Sequence, residues 1–142
     1  MKNAMRTVSP TGSYYIDVPE HIKEDVDERV VSYWIPGDTI LLQLSSYTRR
    51  KGQQVSAKER LAVRLNRDQL THVQSERLKI TDCSDVVAAS GQDQQETRWL
   101  YIYAVWPDIA IFATVSAPLG VSLGISWAMI SLRSLRCKSH EN

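Results

Sequence analysis

The apolar and β-branched pattern of residues 14–18, Tyr14-Tyr15-Ile16-Asp17-Val18, is a short β-rich run that Pro19 ends, which predicts a short β-strand. Residues 29–35 form a second run and lead into Pro36-Gly37-Asp38, a tight-turn sequence. Residues 39–48 return as a third strand with Ile40, Leu42 and Leu44 directed inward. Leu41 and Tyr47 make its other side apolar as well, so this strand is expected to be central and at least partly covered on both faces. The period then changes. Ser56-Ala57-Lys58-Glu59 has the form of a capping box, in which the serine hydroxyl accepts from an exposed amide and the glutamate reaches back to the cap. Ala57, Leu61, Ala62 and Leu65 recur at helical spacing as the apolar stripe of a helix that frays between Asn66 and His72. Lys58, Arg60, Arg64 and Arg67 lie mostly outside that stripe and are read as a solvated face rather than a phosphate site.

The second half of the chain begins with two weaker strand patterns, 75–81 and 85–90, and a polar turn over 91–96. Residues 97–106 form a strand rich in aromatics, Pro107-Asp108 makes a short connection, and 109–117 pairs back as a hairpin that Pro118 ends. A final helix is expected over 122–137, with Ile125, Ala128, Met129, Leu132 and Leu135 on one stripe. Arg133, Arg136 and Lys138 complement the negative end of that helix. From Ile109 to Leu132 no residue is charged, and Gly120, Gly124 and Ala128 repeat at four-residue spacing, so a membrane-spanning helix is the rival reading of this stretch. Pro118 and Gly120 near its middle, and the strand-like alternation before them, favour strand, turn and helix instead. The organisation expected is a flexible N-terminal lead (1–12), a single α+β domain (13–137) and a polar tail (138–142).

Composition narrows the function more than the fold. With 17 basic and 16 acidic side chains the formal charge is +1, and the dense cluster is confined to Arg49-Arg50-Lys51. A nucleic-acid binder would carry a basic excess, so nucleic acid is not an expected partner. Cys83 and Cys137 stand far apart and have neither zinc-ligand nor redox spacing; they read as free thiols in a reducing compartment. The first residues lack the apolar core of a secretory signal, which makes the cytoplasm the expected location. His21, His72 and His140 lie in separate segments, and no HExxH, nucleophile-elbow, GxGxxG or P-loop pattern occurs. No catalytic, metal or cofactor-binding residue is therefore nominated, and no cofactor is expected. The acidic run 20–28, with Glu20, Glu24, Asp25, Asp27 and Glu28, reads as a solvated turn between two strands.

The aromatics carry more. Alternation along residues 97–106 places Trp99, Tyr101 and Tyr103 on one face of the sheet and Trp106 on the other. Under a helix these rings are core; on an open face they form a binding surface. The candidate partner surface is Trp99, Tyr101 and Tyr103, with Arg49 and Arg50 in the 49–54 loop as a rim.

The opening Tyr14-Tyr15-Ile16-Asp17-Val18-Pro19-Glu20-His21 resembles the start of Mog1/PsbP-like domains. The order of hairpin, amphipathic helix and antiparallel strands is similar too, as is the ending Ala113-Thr114-Val115-Ser116-Ala117-Pro118 followed by Met129-Ile130-Ser131-Leu132-Arg133-Ser134-Leu135. The resemblance spans residues 14–136 and departs at Ile22, where many such domains carry tryptophan. It implies an antiparallel sheet flanked by helices in an α/β/α sandwich, with the C-terminal helix packed on the sheet. Members are mostly binding or assembly factors, among them a Ran-binding protein, photosystem II extrinsic subunits and chaperones for secreted effectors. No functional residue of that family carries over.

The leading expectation is a non-enzymatic protein-interaction, adaptor or chaperone-like module with an unidentified protein partner. The alternatives are a small-ligand-binding domain or cryptic enzyme with a pocket between sheet and helix, and a protein anchored in a membrane through residues 109–132. The oligomeric state is left open.

Overall fold

The computed structural model describes residues 4–49 and 56–138. Among these, ten strands and two helices form one α+β arrangement dominated by antiparallel pairing. Strand β1 (Met5–Val8) pairs with β2 (Tyr14–Pro19). Next come β3 (Lys23–Asp27), β4 (Val30–Trp34), β5 (Leu41–Thr48) and helix α1 (Ala57–Arg67). Strands β6 (Thr71–Glu76), β7 (Asp85–Gln92), β8 (Thr97–Val105) and β9 (Ile109–Pro118) follow. Helix α2 (Trp127–Arg133) and the two-residue β10 (Arg136–Cys137) complete the order. The main sheet runs β3-β4-β5-β9-β8-β7-β6, and a small sheet runs β1-β2-β10.

The predicted alternation sorts the sheet into two faces. On one, Val31, Leu42, Leu44, Leu100, Ile102, Ala113 and Val115 are buried beneath β2 and α2 in the larger core, with Trp106 fully enclosed. On the other, Ala89, Tyr101, Tyr103, Val105, Ala110 and Phe112 form a smaller core with Ala57 and Leu61 of α1. Because α1 packs across β7 and β8, the β4–β5 half of that face is left partly open. Ser32, Trp34, Leu41 and Gln43 are half-buried there, and Tyr47 is 37% exposed. Strand β5 is an inner strand with one face buried and the other partly covered, as expected.

Local chemistry accounts for the joints. Gly37 sits at φ +87° in the turn before β5, a conformation that costs glycine little, and Asp38 N–H donates to the Ile35 carbonyl at 2.9 Å. Ser56 caps α1, its Oγ accepting from the Glu59 amide at 3.2 Å. At Gly91 a β-carbon would stand 3.0 Å from Leu70 Cβ, so the absence of a side chain lets the α1–β6 connection lie against β7. The β8–β9 connection closes with Trp106 N–H donating to the Ile109 carbonyl at 2.8 Å.

Several expectations change. Part of the 1–12 lead is strand, because β1 satisfies its backbone against β2 from Met5↔Pro19 to Val8↔Ile16. The acidic run is not a turn: residues 23–27 form edge strand β3, fully exposed as a charged edge should be. The strand expected over 75–81 lies earlier, at Thr71–Glu76, and Leu78 and Ile80 pack into the larger core from irregular chain. Ala62 is exposed instead of joining the α1 stripe, since the cover that α1 needs extends only over Ala57 and Leu61.

The long C-terminal helix is the largest correction. Ser126 caps it late, accepting from the Met129 amide, which leaves Ile125 85% exposed outside it. Ser134 then stops it. Its Oγ donates to the Ser131 carbonyl and accepts from the Asp17 amide, drawing the chain into strand pairing of Arg136 with Tyr15 and Cys137 with Tyr14. Arg136 consequently pairs with Asp17 at 3.2 Å through one terminal nitrogen, while the other donates to the carbonyl of Ser134, the C-cap of α2, at 2.7 Å, so it meets the helix end from β10. The uncharged stretch 109–132 is an inner sheet strand, a turn and a helix of seven residues. No helix among the described residues is long and apolar enough to cross a membrane, and the reading of 109–132 as one spanning helix is set aside.

The shortened helix gives a direct test. Leu132→Ala, at a fully buried position, should cost about 2–5 kcal/mol in urea unfolding, whereas Ile125→Ala should stay within about 0.5 kcal/mol. Equal losses would restore the long helix.

Candidate functional site

The aromatic strand is where alternation placed it, but it is not a free surface. Tyr101 and Tyr103 are only 4% and 8% exposed beneath α1. Tyr101 meets Phe112 of β9 edge-on with ring centroids 5.5 Å apart, Tyr103 meets the same ring at a tilt at 5.6 Å, and Tyr101 meets Trp99 edge-on at 5.9 Å. The Tyr101 hydroxyl donates to Asp68 Oδ2 at 2.5 Å, just past the end of α1. Burial first, and the Asp68 carboxylate second, push the Tyr101 phenol well above its ordinary range. At Asp68, partial burial opposes ionisation, but the Tyr101 hydrogen bond and the charges of Arg67 and Arg64 outweigh it and lower the pKa. The pair clamps the helix end to the sheet.

Trp99 is also engaged. Its indole N–H donates to Asp93 at 2.9 Å, and Asp93 further accepts from the Gln95 and Thr97 amides, which organises the β7–β8 turn. The tryptophan and amide donors lower the Asp93 pKa. Of the two readings the sequence left open for these aromatics, they pack here in the core under α1, which lies over β7 and β8.

Where α1 does not reach, a groove opens between its flank and the β5–β9 side of the sheet. Its volume is about 630 Å3. Tyr47, Tyr103, Ala110 and Phe112 form the floor. Arg60, Arg64 and Arg67 of α1 and Arg49 at the end of β5 form the walls, with Glu59 and Val63 beside them. Arg64 lies over the Phe112 ring, 4.4 Å from its centroid, a cation–π contact that holds the guanidinium at the floor. Arg67 is 62% exposed beside Asp68 at 3.1 Å. Arg49 is half-buried and donates from one guanidinium nitrogen to the Trp106 carbonyl at 2.6 Å. Arg50 of the expected rim, with the rest of the 50–55 loop and His140, lies outside the described residues. Four guanidinia thus surround an aromatic floor whose lining holds one carboxylate, Glu59, with Asp68 paired to Arg67 just outside it. Such a surface suits extended anionic groups and offers no acid–base or nucleophilic pair. Among the described residues, no three His, Cys, Asp or Glu side chains converge to hold a metal ion.

Of the five nominated residues, Tyr103 and Arg49 meet in the groove. Arg60, Arg64 and Arg67 were missed as site residues, although a signal existed. Spacings of four and three place them along one side of the Ala57–Leu61 stripe, on the flank turned toward β9. Which neighbour that flank meets is not local information.

Together the sheet order and the half-covered face define an α+β scaffold with an open, arginine-lined groove. No family model matches the chain, and no curated protein does. A crystal structure of a protein from Bacteroides thetaiotaomicron VPI-5482 is similar in fold, with a TM-score of 0.68 and 15% identity over 99% of this chain and 51% of that one. The chain spans about half the length of that protein, and the likeness bears on the fold alone.

The clamp between Tyr101 and Asp68 has a pH signature. The Asp68 pKa is lowered by folding, so the stability it contributes is present above the unfolded value of about 3.9 and is lost as pH falls through the folded one. Tyr101→Phe should cost about 1–2 kcal/mol in urea unfolding at neutral pH, less than a fully buried charged hydrogen bond because Asp68 is partly exposed. That difference should shrink as pH drops below about 3.9. A deficit independent of pH would show that the carboxylate is not the partner that matters.

Proposed function

We propose that the protein is a non-enzymatic interaction module that receives an acidic segment of a partner protein in the groove between α1 and the β5–β9 face. The observation that carries this is the convergence of Arg49, Arg60, Arg64 and Arg67 over an aromatic floor. Guanidinium forks match carboxylates in pairs, and the rings below supply apolar area for side chains between the acids. On the same sheet face, outside the groove's own lining, Ser32, Trp34, Leu41 and Gln43 are half-buried and would lengthen the surface for an extended segment. Arg50 and Lys51, next to Arg49 in sequence, add charge of the same sign. The reading agrees with the binding and assembly roles implied by the Mog1/PsbP-like resemblance. Cytoplasmic action belongs to the same proposal, supported by the free thiol of Cys83.

A fluorescent peptide rich in glutamate and aspartate with interspersed aromatics provides the probe, followed by anisotropy. Arg60→Glu combined with Arg64→Glu should weaken binding at least about tenfold, and raising salt from about 0.05 to 0.5 M should do the same to the unaltered protein. Arg60→Glu lies on the exposed helix flank, so its melting temperature should move little; Arg64→Glu also gives up the contact with the Phe112 ring, and Arg60→Glu alone is therefore measured beside the pair and should weaken binding as well. Binding that survives the charge reversal would sink the proposal.

A further inference from the structure

A second recess lies on the sheet face opposite the groove, among the end of β6, strands β7 and β8, and the approach to α2. Its volume is about 280 Å3. The floor is apolar: Ala88, Leu100, Leu123 and Met129 are all buried, with Leu78 half-buried beside them. Around this floor stand three arginines delivered by three separate parts of the chain. Arg77 follows β6, Arg98 belongs to β8 and Arg133 ends α2. One carboxylate is present, Glu76, and its Oε1 accepts from Ser90 Oγ at 2.7 Å. Three guanidinia against one carboxylate leave a net charge of +2 around the recess.

Among the described residues, none of the three guanidinia pairs with a carboxylate or donates to a protein acceptor. Like charges gathered around a low-dielectric floor repel one another, and an anion placed between them relieves that repulsion. Water alone would satisfy the guanidinia, but it gains nothing from the leucine and methionine side chains beneath. A ligand with a charged head and an apolar body answers both demands. The volume sits just under the usual range of about 300–1,000 Å3 for small-molecule sites, which favours one short chain or ring over a nucleotide.

We propose that this recess binds a small carboxylate with an apolar body. The carboxylate engages Arg98, the half-buried arginine of the three, with Arg77 and Arg133 flanking it. The body lies on Leu100, Leu123 and Met129. The site is on the other side of the sheet from the groove and does not depend on the acidic-segment proposal.

Octanoate and octanol, titrated into the full chain, separate head from tail. Calorimetry gives affinity, and the labelled methyl of Met129 reports location. Octanoate should saturate and move the Met129 methyl, with octanol binding at least about tenfold more weakly. Arg98→Gln should weaken octanoate about tenfold, leaving octanol and the acidic peptide unaffected; Arg77→Gln, at an exposed position, should weaken octanoate to a smaller extent. Equal affinity for the two probes would overturn the assignment, as would an unmoved Met129 methyl or an unchanged octanoate affinity in both variants.

Discussion

The whole arrangement depends on covering both sides of the β8–β9 pair. These strands pair from Thr97↔Pro118 to Val105↔Ala110 at the middle of the main sheet, and nearly every side chain along them is apolar or aromatic. One side of the pair presents Leu100, Ile102, Ala104, Ile111, Ala113 and Val115, and the other presents Tyr101, Tyr103, Val105, Ala110 and Phe112. Apolar area of that extent must leave water on both sides, at about 25 cal/mol for each Å2 removed. Everything outside the sheet answers that demand. On one side the β1-β2-β10 ribbon and α2 provide the lid; on the other, α1 alone provides a partial one.

The partial lid is what creates a candidate site. Helix α1 has eleven residues, and its buried stripe is short, so it can roof β7 and β8 but not β5 and β4 as well. Its charged flank then overhangs the strands it leaves open. Arginine suits that position because its stem can lie on apolar surface while the guanidinium stays hydrated or stacks on a ring, as Arg64 does over Phe112. The clamp from Tyr101 to Asp68 fixes where the helix ends and so how much of the sheet remains uncovered. Edges are managed separately. β3 is acidic along its length, and β6 has an irregular register between Thr71 and Gln74, which discourages strand addition at both ends of the sheet.

Local signals determined much of this protein. The Ser56 cap, the Pro36-Gly37-Asp38 turn, the inward set Ile40, Leu42 and Leu44, and the facing of Trp99, Tyr101 and Tyr103 opposite Trp106 all follow from spacing and backbone chemistry within a few residues. Tertiary structure decided the rest. Residues 122–137 carry a helical stripe, yet only seven of them are helix, because Ser134 accepts from Asp17, a residue more than a hundred positions away, and β10 is needed beside β2. The fate of Tyr101 and Tyr103 was likewise open in the sequence, since a ring on a strand is core or surface according to whether a helix crosses it. Alternation sets which way a side chain points, through the pleat of its own strand; what it meets there depends on chain folded back from elsewhere. That is why the faces of the sheet were legible from the sequence, and why the arginine groove on one face and the recess on the other were not.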